Sequence, residues 1–154
     1  PSVMIKREVI DQCGKFDHEL PGRQDYDYWI RILKHYSIDY VKKPLVISKH
    51  RMNIDRITGD IRNYINANEI IDEKYKKDIN NNLTEKEKVL RKAKQNYFLG
   101  SQAVKINDMK LARKYYLASL KNKFSLKTIV AYFSTFLGLK GTVLLRKYFG
   151  NIKN

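Results

Sequence analysis

The residues best suited to chemistry lie in one segment, FDHELPGRQDYDYWIRI, at positions 16–32. A loop with acidic residues, proline and glycine leads there into an aromatic-rich helix, and Asp25 falls at the expected helix N-terminus. Helix N-termini favour negative charge, so a carboxylate at this position stays ionised and can accept a proton or bind a polar ligand. The alternative is that Asp25 is only the N-cap of the helix, and the spacing leaves both interpretations open.

Two further side chains of this helix have a predictable relation to Asp25. Asp27 lies two residues later and therefore on another side of the helix, which makes the two carboxylates a poor acid–base pair. Arg31 follows Asp27 by four residues, about one helical turn, and the spacing predicts an ion pair between them. Trp29 falls on the apolar side of the helix, where a core position is expected.

Residues 1–57 have the pattern of a mixed α/β segment. A short helix is expected from Arg7 to Cys13, ended by Gly14 at the C′ position, and a second from Asp25. Short apolar stretches at residues 3–5, in IDYV and in LVIS predict brief strands.

Beyond about residue 57 the apolar residues keep helical spacing. A connecting helix is expected over 58–82, followed by a helical tail over 83–154 that opens with a capping box formed by Thr84 and Glu87. The predicted fold is therefore α+β but predominantly helical, with short strands and two helices of an α/β domain followed by a helical bundle.

The first fifty residues also carry an ordered series of motifs: Pro1-Ser2-Val3, Arg7-Glu8-Val9, Gly14-Lys15-Phe16-Asp17-His18-Glu19-Leu20, Gln24-Asp25-Tyr26-Asp27-Tyr28-Trp29-Ile30-Arg31, Pro44-Leu45-Val46 and Ser48-Lys49-His50. This series resembles the second half of the catalytic domain of family 2 glycosyltransferases, which are inverting enzymes of GT-A fold. The match covers about a third of the chain and keeps the family's order and spacing.

The resemblance implies roles for individual residues. Asp25 matches the general base, which takes the proton of the acceptor hydroxyl as that oxygen attacks the anomeric carbon of a nucleotide-activated sugar. Gln24 stands where the family usually has glutamate and keeps the ability to hydrogen-bond the acceptor. Asp17 either caps its loop or touches sugar, and Arg31 either pairs within its helix or reaches the substrate. His50 matches a histidine near the donor diphosphate or its metal.

The resemblance also implies a part of the enzyme that these residues do not supply. The family's nucleotide-binding half carries an Asp-x-Asp motif that holds a divalent metal, Mg or Mn, against the donor diphosphate. We find neither that motif in a strand context nor a Gly-rich phosphate loop. We therefore expect a hexosyltransferase-like activity, from a nucleotide-sugar donor to a saccharide or lipid-linked acceptor of the cell envelope, only in a longer protein. This fragment alone is expected to be inactive and to bind no metal, His50 being its one candidate ligand.

Positive charge is concentrated in the last third of the chain. The formal net charge is +15, and residues 105–154 contribute 11 basic side chains and one acidic side chain. The aromatic and basic stretch 123–149 either packs on the helical core or lies on an anionic membrane surface. No zinc finger or RNA-recognition signature is present, so a nucleic-acid partner is not expected.

The remaining composition bounds the class of protein. Hydrophobic residues make up 43% of the chain, which excludes a disordered basic tail. The single Cys13 excludes an intramolecular disulfide, so we expect a cytoplasmic protein, peripheral on the inner face of the cell membrane if the tail binds lipid. Residues 96–123 resemble one tetratricopeptide-like unit, which predicts either a simple helical hairpin or one unit of a peptide-binding array. A non-catalytic helical interaction module is therefore the alternative to the enzyme.

Overall fold

The computed structural model describes residues 3–47, 60–139 and 141–142. Within these ranges the chain forms seven α-helices and a short 3-10 turn, Thr135–Leu137. The helices are α1 (Arg7–Cys13), α2 (Gln24–Leu33), α3 (Ile61–Lys74), α4 (Lys76–Asn82), α5 (Glu85–Lys105), α6 (Met109–Asn122) and α7 (Leu126–Ser134). The described part of the chain is therefore an all-helical fold.

The predicted α+β class is wrong for the described residues, because none of them forms a strand. The stretches at 3–5, 38–41 and 45–47 have no regular secondary structure, and most of their apolar side chains are exposed, Tyr40 at 72% and Ile47 at 90%. A strand needs a neighbour that pairs with its backbone groups, and β-propensity alone does not supply one. The end of the LVIS motif lies outside the described residues.

Two helix boundaries that depend on local capping are confirmed, the end of α1 and the start of α5. Gly14 ends α1 with φ of 74°, and its N–H donates to the Ile10 carbonyl at 2.9 Å. Thr84 and Glu87 form the reciprocal capping box at the start of α5. The connecting helix predicted over 58–82 is instead two helices, α3 and α4, which are interrupted at Tyr75.

Helices α5 and α6 form an antiparallel hairpin, the most extensive helix pair in the described part of the chain. Ala103, Ala112 and Tyr116 are completely buried in it, and the Ser119 hydroxyl donates to the Ala93 carbonyl at 2.8 Å. A β-carbon on Gly100 would lie 2.7 Å from the Tyr116 ring, closer than carbon atoms pack. The absence of a side chain at this position therefore sets the spacing of the two helices.

Candidate functional site

The N-terminus of α2 presents Asp25 to solvent. The helix begins at Gln24 and its N-cap is Arg23, with φ of 59°, so Asp25 lies in the first helical turn rather than at the cap. The Asp25 carboxylate is exposed and accepts the N–H of Tyr26 at 2.8 Å, its one hydrogen bond among the described residues. The interpretation of Asp25 as the N-cap is therefore wrong, and the carboxylate remains accessible to a ligand.

Asp27, two residues further on, has the opposite surroundings. Its side chain is completely buried and accepts hydrogen bonds from three donors. The Tyr75 hydroxyl and the Lys74 ammonium both lie 2.8 Å from Oδ1, and Arg31 Nε lies 3.0 Å from Oδ2. The i,i+4 pair of Asp27 and Arg31 is the one that the spacing predicts.

The same donors hold this carboxylate in its ionised form. Burial alone would raise the pKa of Asp27, but the hydrogen bonds from Lys74, Tyr75 and Arg31 outweigh it, so its pKa lies below the ordinary value. Burial and the bond to Asp27 raise the pKa of Tyr75 to about 12. Burial opposes the charge of Lys74, yet its contacts with Asp17 and Asp27 raise its pKa above the ordinary value.

Asp17 and Arg31 extend this cluster to the loop before α2. Asp17 pairs with Lys74 at 2.7 Å and also accepts the N–H of Glu19 at 3.1 Å, so it caps its own loop. The Arg31 guanidinium donates to the backbone carbonyls of Cys13 and Lys15, the latter at 2.7 Å. The cluster, called the Asp27 network below, comprises Asp17, Asp27, Arg31, Lys74 and Tyr75.

Two of the side chains expected to bind substrate, Asp17 and Arg31, are engaged in hydrogen bonds and ion pairs of the Asp27 network. The bonds of Asp17 and Arg31 tie the loop at 14–23 to α2 and α3, which is the structural alternative for each of them. Gln24 is engaged as well, because its amide nitrogen donates to the Leu20 carbonyl at 2.8 Å. His50 lies outside the described residues. Of the predicted site residues that are described, only Asp25 has no bond to another segment.

Arg23 borders Asp25 and is held by aromatic and amide groups. Its guanidinium lies 4.1 Å from the centroid of the Tyr26 ring and 5.1 Å from that of Phe98, and it donates to the buried amide oxygen of Asn68. Burial lowers the pKa of Arg23, although guanidinium groups stay charged at physiological pH. A fixed positive charge therefore lies next to the exposed carboxylate.

Sequence reasoning missed Lys74, Tyr75 and Arg23. In the sequence, Tyr75 is only one of the residues that keep the helical spacing of the connecting helix, between Ile71 and Ile79. A buried tyrosine usually finds a partner for its hydroxyl, and this rule would have indicated an acceptor nearby. It would not have identified Asp27, which lies 48 residues away along the chain.

No metal site can be assembled from the described side chains. Among the described ranges, no group of three or more His, Cys, Asp or Glu residues is close enough to hold an ion. None of the helices in the described ranges has the length and apolar character that crossing a bilayer requires.

Comparison with known proteins adds no family to this description. No protein-family model, no curated protein and no solved structure matches the chain.

Proposed function

We propose that the chain is the acceptor-side portion of an inverting glycosyltransferase that resembles family 2, with Asp25 as the general base. The observation that carries the proposal is the contrast between the two carboxylates of Asp25-Tyr26-Asp27. Asp27 is buried and occupied by three donors, whereas Asp25 is exposed on the first turn of a helix. A base must be ionised and reachable by the hydroxyl whose proton it takes, and only Asp25 is reachable.

In the proposed reaction the acceptor oxygen attacks the anomeric carbon from the face opposite the leaving nucleoside diphosphate. The bond from oxygen to carbon forms as the bond from carbon to the diphosphate oxygen breaks, so the configuration inverts. The acceptor proton passes to the Asp25 carboxylate. The Asp27 network contributes rigidity, because it fixes the loop and the helix from which Asp25 projects.

A further part of the protein would supply the nucleotide and metal sites. The exposed apolar residues at 38–47 support this requirement, since Tyr40, Leu45 and Ile47 are each more than two-thirds exposed. Several exposed apolar side chains within ten residues of sequence are typical of a segment that another part of the protein covers.

The test measures nucleoside diphosphate release by the full-length protein with a panel of nucleoside diphosphate hexoses. Asp25→Asn is expected to lower turnover by about 10²–10⁴-fold, the usual contribution of a general base, and to leave donor binding intact. Asp39→Asn is the matched control, because Asp39 is also exposed and accepts the N–H of the following residue, at 2.7 Å. Retained turnover in Asp25→Asn, or an equal loss in Asp39→Asn, would refute the assignment.

A further inference from the structure

Helix α7 exposes large apolar side chains and buries small or hydroxyl-bearing ones. Its inward positions, Thr128, Ala131, Ser134 and the adjoining Thr135, are at most 6% exposed. The outward positions keep the spacing i, i+4, i+7 and i+11 and are all apolar. These residues, together with the neighbouring Phe136, are called the α7 outer face: Leu126, Val130, Phe133, Phe136 and Leu137.

Most of the outer face is accessible. Leu126, Phe133, Phe136 and Leu137 are between 61% and 64% exposed. Two of the inward hydroxyls bond within the segment, because Ser134 donates to the Ala131 carbonyl at 2.7 Å and Thr135 to the Tyr132 carbonyl at 2.6 Å. Water-facing helices normally show the reverse distribution, and small residues inside with large apolar residues outside are typical of helices that contact lipid.

A cation borders this face, in a basic stretch of the chain. Arg113 lies 4.9 Å from the centroid of the Phe136 ring. Residues 105–139 contain seven basic side chains and a single acidic one, Asp108. That carboxylate caps α6 by accepting the N–H of Leu111 at 2.9 Å.

We propose that the α7 outer face docks on the surface of an anionic lipid bilayer. At about 1.5 Å per residue, the nine residues of α7 reach less than half of a hydrocarbon core that is about 30 Å thick. The helix therefore lies in the interface, with its phenylalanine and leucine side chains among the acyl chains and its basic neighbours at the headgroups. This proposal does not depend on the proposed function.

A second copy of the chain fits this face less well than lipid does. A symmetric dimer apposes the same patch of both subunits. The Arg113 cation beside this face on one subunit would then approach the same cation on the other. An anionic bilayer instead complements both the apolar face and its basic border.

The test is co-sedimentation of the full chain with phosphatidylcholine vesicles that either contain or lack phosphatidylglycerol. We expect binding only to the anionic vesicles, weakened by added salt. The double substitution Phe133→Ser and Leu137→Ser should weaken binding at least about tenfold, because it removes two apolar side chains from the interface. Val41→Ser with Leu45→Ser is the matched control, since both residues are exposed and apolar but remote in sequence from α7.

A charge substitution tests the basic border separately. Arg113→Glu should weaken binding to anionic vesicles at least about fivefold, whereas Lys77→Glu on α4 should have little effect. Equal binding to neutral vesicles, no binding to either, or equal losses in the control variants would overturn the proposal. Concentration-dependent dimerisation that Phe133→Ser and Leu137→Ser abolish would also overturn it, because the occupant would then be a second copy.

Discussion

Different interactions hold the loop before α2 and the α5–α6 hairpin in place. The loop is tied to α2 and α3 by the Asp27 network, in which a buried carboxylate accepts bonds from Arg31, Lys74 and Tyr75. The hairpin is held by close packing, with Gly100 against the Tyr116 ring and alanines at the centre. Polar partners must therefore be retained in the first region, whereas volume must be conserved in the second.

The largest loss of stability is expected from Asp27→Asn. The substitution removes the anion but leaves the charges of Arg31 and Lys74 facing the amide, and breaking a buried pair in this way typically costs about 3 kcal/mol or more. Urea unfolding at neutral pH measures the loss. Asp25→Asn is the matched control and should stay within about 0.5 kcal/mol, because its carboxylate is exposed.

The pH dependence of Asp27→Asn identifies its cause. Since the pKa of Asp27 is lower in the folded protein, its stabilisation is complete above the unfolded value of about 3.9 and is lost as the pH falls through the folded one. The difference in stability between wild type and Asp27→Asn should therefore shrink on acidification. A difference that stays constant down to acid pH would show that Asp27 contributes through shape rather than charge.

A smaller loss, of about 2 kcal/mol, is expected from Gly100→Ala. The added methyl would overlap the Tyr116 ring, which is completely buried and has little room to move. Gly22→Ala is the control, because its β-carbon would find the nearest atom, Asn63 O, at an ordinary 3.5 Å. Thermal unfolding compares the two variants. Equal stability of both would mean that the hairpin tolerates the added volume.

The smallest effect, about 1.5 kcal/mol, is expected from Tyr75→Phe, which removes one donor to a charged acceptor. The folded pKa of Tyr75 is about 12 and the unfolded pKa about 10, so wild type loses stability as the pH rises between these values. The Tyr75→Phe protein lacks this loss. The difference in the free energy of unfolding between wild type and Tyr75→Phe should therefore narrow as the pH rises between these values. Tyr40→Phe, at an exposed position, should change the free energy of unfolding at neutral pH by no more than about 0.5 kcal/mol.

The features that were predicted correctly from the sequence are those that depend on a few neighbouring residues. Gly14 ends α1, Thr84 and Glu87 cap α5, and Asp27 pairs with Arg31 because each depends on positions within about one helical turn. The strands failed because pairing depends on distant segments that propensity does not specify. Tyr75 was missed as a partner of Asp27 for the same reason. The role of Asp25 in catalysis remains a prediction.

The sequence separation of these contacts has a consequence for the order of folding. Hairpin contacts join residues 15 to 26 positions apart, such as Ser101 with Tyr116 and Ala93 with Ser119. Asp27–Tyr75 and Asp17–Lys74 join residues 48 and 57 positions apart. Closing a loop costs about 0.6 kcal/mol more for each doubling of its length. The contacts that offset the lost chain entropy form only after the loop has closed. The α5–α6 hairpin should therefore assemble early, and the loop that leads to Asp25 should be among the last parts to reach its final position.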